Sequence, residues 1–241
     1  MNLLLLRFDA PLMSFGGVMV DQHGPTDRFP GVSMLAGLLG NALGWRHDDA
    51  DALESLQGRI EFAARWDLPP EPLLDYHTVD LGQPKMRGSG WTTHGIPEHR
   101  DGGAAAAFGT HQRYRHYWAN GVMTLALTLL GEGLPTIRSL AIALQTPARP
   151  LFLGRKTCLP AAPLLLGQID APDVLTALRQ VPRAQRPRRS VPPGMEACWP
   201  AHLDGAGPSQ EVAIHDRRDW HNQIHAGQRR RREGLVEEES R

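Results

Sequence analysis

Cysteine is scarce: Cys158 and Cys198 are the only two, and neither belongs to a Cys-x-x-Cys pair. A disulfide-stapled secreted scaffold is therefore excluded, and a reducing cytoplasm is the expected compartment. Net charge is lacking as well, with 26 Lys+Arg against 26 Asp+Glu. A protein that coats nucleic acid through bulk positive charge would be basic overall, so any such contact here has to come from local patches or from neighbouring subunits. There is no long hydrophobic run. Met1 to Phe8 is apolar but too short to span a membrane, lacks a basic start and precedes no small-residue cleavage site, so it reads as a buried first strand with no membrane role. Serine nucleophile elbows, dinucleotide glycine motifs and paired acidic metal motifs are all missing. Histidines are plentiful, in one crowd at His77, His94, His99, His111 and His116 and another at His215, His221 and His225. Neither crowd has the spacing of a closed ligand set, so no metal and no cofactor is expected.

What is present is enough for a core. A 241-residue chain with 41% hydrophobic residues supports one large domain, or one domain with an appendage. Leu3 to Leu6 suit a strand buried on both faces. Ser33 is a plausible N-cap for a helix whose apolar face is Leu35, Leu38, Leu39, Ala42 and Leu43, with Gly44 as its stop. A short second helix is expected over Asp49 to Leu56. Ile60, Phe62, Ala64 and Trp66 alternate like a half-buried strand. From about Leu68 to His116 the chain turns rich in Gly, Pro, His and Arg, with one short strand candidate at Asp75 to Val79; an excursion that long is usually functional or mobile. A strong strand follows at Val122 to Leu130, a helix after Pro135 with face Ile137, Leu140, Ala141 and Leu144, and a last strand at Pro150 to Leu153.

Strand, helix, strand, excursion, strand, helix, strand is the β-α-β-β-α-β plan. The expected class is α+β, with a ferredoxin-like, RRM-like domain over 1–160, a thumb-like hairpin insertion at about 68–118, and a small C-terminal subdomain with a polar tail over 161–241. That tail carries Arg229 to Arg232 and then Glu237 to Glu239. The aromatic-rich RNP1 phrase is absent, which argues against an ordinary RRM.

Two clusters could carry chemistry. Leu153-Gly154-Arg155-Lys156-Thr157-Cys158 places a glycine, two cations and a hydroxyl at the expected end of a strand. Glycine lets a backbone approach, the cations neutralise phosphate and Thr157 can donate; a merely solvated strand end is an equally good reading. The stretch Arg113-Tyr114-Arg115-His116-Tyr117-Trp118 interleaves cations with rings, which suits gripping a backbone and stacking bases, or an edge strand with its arginines left in solvent. A metal-independent RNase would need His77, Lys156, Tyr114 and Tyr117 as acid and base candidates, and sequence does not bring them together.

Taken in order, several phrases resemble the Cas-five family of CRISPR-associated proteins, the CasD-type subunits of type I-E Cascade. They are Leu3-Leu4-Leu5-Leu6-Arg7-Phe8 with Pro11-Leu12-Met13-Ser14-Phe15-Gly16, Pro25-Thr26-Asp27-Arg28-Phe29-Pro30, Asp75-Tyr76-His77-Thr78-Val79 and Tyr114-Arg115-His116-Tyr117. The most telling is Pro150-Leu151-Phe152-Leu153-Gly154-Arg155-Lys156-Thr157-Cys158. The resemblance implies a non-catalytic subunit that caps the 5′ handle of the guide crRNA, with the long hairpin as the clamp. It implies contacts with the adjacent backbone subunit and the large subunit, and with target DNA only through the complex. RNA-binding residues would be Arg155, Lys156, Thr157, Arg115, Arg113, Tyr114, Tyr117, Arg28 and His77. An endoribonuclease acting on precursor repeat RNA, and a protein scaffold without RNA contact, are the alternatives.

Overall fold

The computed structural model describes residues 1–17, 19, 21–80, 90–91, 97–98, 110–187, 193–205 and 207–237. The glycine- and alanine-rich stretch Gly102 to Gly109, and His94 and His99, lie outside the described residues, as does the end of the acidic tail.

Fifteen strands and four helices are described. The strands are β1 (Asn2–Asp9), β2 (Leu12–Met13), β3 (His23–Gly24), β4 (Ile60–Leu68), β5 (Glu71–Asp80), β6 (Gly90–Trp91), β7 (Pro97–Glu98), β8 (Thr110–Ala119), β9 (Val122–Leu129), β10 (Leu165–Asp170), β11 (Met195–Pro200), β12 (Ser209–Ile214), β13 (Arg218–Asp219), β14 (Ile224–His225) and β15 (Arg229–Val236). The helices are α1 (Val32–Leu43), α2 (Ala50–Arg59), α3 (Ile137–Gln145) and α4 (Val174–Gln180). The chain is thus mixed α+β, with a main sheet ordered β10-β1-β9-β4-β11-β15-β12 and antiparallel at every pairing.

Alternation along the central strands feeds two cores. Leu4, Leu6 and Phe8 of β1, with Phe62, Ala64 and Trp66 of β4, pack on one face with residues of α1, α2 and α3. Leu3, Ala63 and Ala126 point the other way, against Val174, Leu175, Ala177 and Leu178 of α4. That double cover is why Leu3 to Leu6 of β1 form an unbroken apolar run.

It also corrects the expectation for β4, which is buried on both faces rather than half-buried. Arg65 and Asp67 are fully buried. The Arg65 guanidinium pairs with Asp67 at 2.8 Å and donates to the Leu178 and Val181 carbonyls. Asp67 also accepts from Thr124 at 2.7 Å and from the Ala184 amide at 3.0 Å. Buried charges persist only when so paired and hydrogen-bonded.

Three further expectations change. Pro150 to Leu153 is not a strand; the strand beside β1 is β10, beyond residue 160, where Leu3 faces Ile169. Helix α1 is not capped by Ser33. Its first amides, Val32 and Ser33, donate to the Asp216 side chain at 2.8 Å and backbone at 3.1 Å, from far along the chain. The run Arg229 to Arg232 is not tail but the start of β15, interior to the sheet between β11 and β12. Gly44 does end α1, with φ 88°.

Of the excursion's described residues, β5 and β8 belong to a second sheet, and β6 pairs with β7. β5 pairs with β8 from Glu71↔Ala119 to Asp80↔Thr110, and β2 and β3 flank β8. Along β5 every side chain described is exposed except that of Asp75, which is half-buried. No described helix is long and apolar enough to cross a membrane.

Candidate functional site

The Gly154 phrase folds into a tight turn, with the Leu153 amide on the Cys158 carbonyl at 2.7 Å and the Cys158 amide on the Arg155 carbonyl at 2.8 Å. Gly154 has φ +95°, and a Cβ there would lie 1.5 Å from the Ser14 carbonyl oxygen. The close approach that glycine permits is therefore to this chain's own backbone, where the Ser14 amide donates to Leu153. The two cations then part. Arg155 turns inward, donates to the His116 carbonyl at 3.0 Å and the Gly24 carbonyl at 2.9 Å, and lies 4.7 Å over the Tyr117 ring. Lys156 and Thr157 stay exposed at the tip.

Strand alternation splits the second cluster. Arg113 and Arg115 share one face of the β5–β8 ribbon with Asp75 and His77, which bond each other. Tyr117 points to that face lower down but is buried beneath Arg155. Tyr114 points the other way, where its ring sits 5.0 Å from Tyr76 and 4.8 Å from a nearly parallel His23. His77 and Tyr114 are thus on opposite faces. Arg28 is half-buried, its guanidinium 4.8 Å from the Trp118 ring and 5.3 Å from Trp66, and ion-paired with Glu196 at 2.7 Å. It ties the base of the ribbon to β11.

Beside that base runs a cleft of about 460 Å³ between α1, the turn after it, the Gly154 turn and the β13–β14 hairpin. Arg46, Arg149, Arg155 and Arg218 line it with His47 and His225, and no Asp or Glu is among the described residues that do. Arg149 is held by the Trp45 carbonyl at 2.8 Å and by Gly44, Arg155 by the carbonyls named above, and Arg218 by the Gln223 side chain at 2.7 Å. None of the four is in an ion pair among the described residues, so the charges of Arg149, Arg155 and Arg218 are held in place without being neutralised, and exposed Arg46 adds a fourth. The conspicuous arginine run is the opposite case. Arg229 pairs with Asp216 at 2.7 Å, Arg230 with Glu211 at 2.8 Å and Arg231 with Glu233 at 2.5 Å. Charge balance over the chain thus hides a local imbalance of the kind an anionic polymer would meet.

Rings add to it. Trp45, Phe152 and Trp220 line the same cleft, and His47 stands 6.4 Å from Trp220. The hairpin that presents Trp220 is pinned to α2, because Gln57 donates to the Arg218 carbonyl at 2.9 Å and accepts from its amide at 3.0 Å. Among the described residues no three His, Cys, Asp or Glu side chains come together as a metal site would need.

Comparison with known proteins bears on what such a surface serves. Residues 3–232 match the family model described as CRISPR-associated protein (Cas_Cas5). The chain belongs to this family. It is 32% identical over 183 residues to the CRISPR system Cascade subunit CasD of Escherichia coli strain K12, a match covering 73% of this chain and 75% of that one. A chain in a solved CRISPR RNA-guided surveillance complex is 25% identical, with a TM-score of 0.70 over 98% of this chain and 90% of that chain. A crystal structure of a Cas protein shares the fold, at 22% identity and a TM-score of 0.61 over 98% and 96% of the two chains.

Sequence reasoning singled out the Gly154 phrase, though as a strand end where the chain makes a turn, and it missed the cleft. Arg46 and Arg218 lie far apart in the sequence, and nothing in spacing joins Trp45 to Trp220. The one available signal was Trp45-Arg46-His47 directly after the Gly44 stop, a ring and two potential cations where a helix releases the chain. Tyr76 and His23 were missed as ring partners because the pairing β3–β8–β5 is set by tertiary register.

Proposed function

We propose that this chain is a non-catalytic subunit of a type I-E Cascade-like ribonucleoprotein that holds the 5′ end of a guide RNA, in the cytoplasm. The observation that carries the reading is the cleft with four unneutralised arginines, two histidines, aromatic walls and no lining carboxylate among the described residues. Family membership and the CasD relative support it. Single-stranded RNA is gripped by cations along its backbone and by rings that stack splayed bases. The cleft offers both, and the exposed Lys156 and Arg115 extend the cationic surface beside it, with Thr157 adding a hydroxyl. The strand order β10-β1-β9-β4, with helices between β1 and β4 and between β9 and β10, supports a ferredoxin-like core.

The ribbon β5–β8 would be the clamp, and its exposed Leu73, Leu74 and Tyr76 suit a neighbouring backbone subunit. A non-enzyme is favoured over the ribonuclease because its candidate groups diverge. Tyr117 is buried under Arg155 and Tyr114 faces away from His77.

The test is to incubate a labelled CRISPR repeat RNA with the chain in EDTA, alone and with the other complex subunits. The expected result is intact RNA protected at its 5′ end, most strongly in the assembly. Clean cutting by the chain alone would make it a nuclease, and crosslinks confined to proteins would make it a scaffold.

A further inference from the structure

The two strands of the ribbon continue two strands of the main sheet. The pair β4–β9 runs to Leu68↔Val122, and the pair β5–β8 takes over at Glu71↔Ala119. The joint is Pro69 and Pro70 on one strand, Asn120 and Gly121 on the other. It is tightly filled, since a Cβ on Gly121 would lie 2.6 Å from the Trp66 ring and 2.7 Å from Pro70. The angle of the ribbon is therefore set by what packs beside the joint. Two tryptophans do so, Trp66 from β4 and Trp118 from β8, and one short stretch of chain holds both. The Trp118 indole donates to the Asp27 carbonyl at 2.7 Å, and the Trp66 indole to the next carbonyl, that of Arg28, at 3.2 Å. The Arg28 guanidinium lies 5.3 Å from the Trp66 ring and 4.8 Å from the Trp118 ring, and its Nε donates to Glu196 of β11 at 2.7 Å. Arginine suits such a post, because its planar fork bonds a carboxylate while its faces meet rings. The Arg28 side chain is 26% exposed and that of Glu196 52%, so salt reaches the pair.

We propose that Arg28 is a positioning residue and not a ligand of RNA phosphate: with Glu196 it forms a clasp that sets the angle of the ribbon to the main sheet. The inference rests on the RNA reading above and adds to it what aims the clamp. Arg113 and Arg115 ride on the ribbon, whereas Lys156 belongs to the Gly154 turn of the body. One RNA strand meets both sets of cations only if the angle between them is fixed. Arg28 itself is already shared between a carboxylate and two rings, which leaves it poorly placed to grip a phosphate as well. The two roles make opposite demands on Glu196. Beside an RNA-binding arginine its carboxylate competes with phosphate, so removing the charge strengthens RNA binding. In a clasp the carboxylate holds the arginine in place, so removing the charge weakens RNA binding.

The experiment reads the angle first, in the full chain without RNA. Spin labels at Thr78→Cys on the ribbon and Gln168→Cys on β10 measure it as a distance; Cys158 and Cys198 are buried and stay unlabelled. Glu196→Gln is expected to broaden the distance distribution at low salt to the breadth that wild type reaches only at high salt. A fluorescent CRISPR repeat RNA is then titrated with the full chain over a series of salt concentrations, read by anisotropy. Apparent affinity scales with the fraction of molecules in the competent arrangement, so a ribbon at the gripping angle for about a tenth to a third of the time loses about three- to tenfold. That loss is expected for Glu196→Gln and for Arg28→Gln. The slope of log affinity against log salt should stay at its wild-type value in both, whereas losing one phosphate contact would lower it by about 0.7. An unchanged distance distribution, tighter RNA binding by Glu196→Gln, or a shallower slope in Arg28→Gln overturns the clasp and leaves the RNA reading standing. Failure of wild type to bind the RNA overturns both. Should Arg28→Gln lose the native melting profile, Glu196→Gln, a change at an exposed side chain, decides the matter alone.

Discussion

β9 and β5 are equally regular strands with opposite fates. β9 pairs with β1 and β4 on its two edges and is buried through seven of its eight residues. β5 pairs with β8 over ten residues, yet both of its faces are open, and Leu74 and Tyr76 stand about half exposed. Backbone pairing is alike in the two; only burial differs. Since apolar burial contributes roughly 25 cal/mol per Å², stability resides in β9 and its neighbours. The ribbon gains little from its own chain and keeps its surface for a partner. The comparison can be broken from either side.

The largest effect is expected at the buried pair on β4. Asp67→Ala strands the Arg65 charge, and removes the acceptor of Thr124 and the Ala184 amide. Loss of one partner of such a pair costs about 3–5 kcal/mol, so urea denaturation should show a chain that is barely folded. A midpoint near wild type would mean that the second core is not what holds the sheet.

Next comes the joint between the regions. Gly154→Ala forces a Cβ onto the Ser14 carbonyl at a φ of +95°, so the backbone there has to move. A cost of about 2–4 kcal/mol is expected, in line with strain at a special backbone position. Arg155, held on the His116 and Gly24 carbonyls, would move with it. Wild-type stability together with wild-type proteolysis of the ribbon would show that the turn does not anchor it.

The ribbon should behave in the opposite way. The double variant Tyr76→Ala, Tyr114→Ala removes two rings of the ladder that His23 completes. Stability should change by no more than about 0.5 kcal/mol per site, as for exposed residues. RNA retention in the assembled complex should fall by about 1–3 kcal/mol if a base stacks there. Lost stability with unchanged retention would reverse the comparison.

How much of this was legible follows the same division. The helix face Leu140, Ala141 and Leu144 and the double-faced run Leu3 to Leu6 could be read because burial imposes a period. Arg65 and Asp67 misled, because polar letters on an alternating strand read as solvent when a second layer of chain lies over them. Arg155 and Lys156 are adjacent letters with opposite destinations, a distinction made by the carbonyls of Gly24 and His116, which no local pattern contains. Asp216 capping α1, and the cleft itself, depend on the last third of the chain folding back. Tertiary placement, not propensity, decides such sites.

The smallest expected effect is a silence. Burial pushes the Cys198 thiol up to about 11 from its ordinary 9.0, against the opposing pull of Arg231 and Arg229, and burial raises Cys158 as well. Both thiols stay protonated near neutral pH, and thiolate is the reactive form. Because the folded state holds the Cys198 proton more tightly than the unfolded chain does, this site contributes stability below pH 9.0. That contribution is lost as pH rises from 9.0 toward about 11. At pH 8 a disulfide reagent should label both cysteines about a thousandfold more slowly, or slower still, than in the urea-unfolded chain, because access requires global opening. Fast labelling of Cys158 alone would show that the Gly154 turn opens independently of the sheet, and would place that joint with the ribbon instead of with the core.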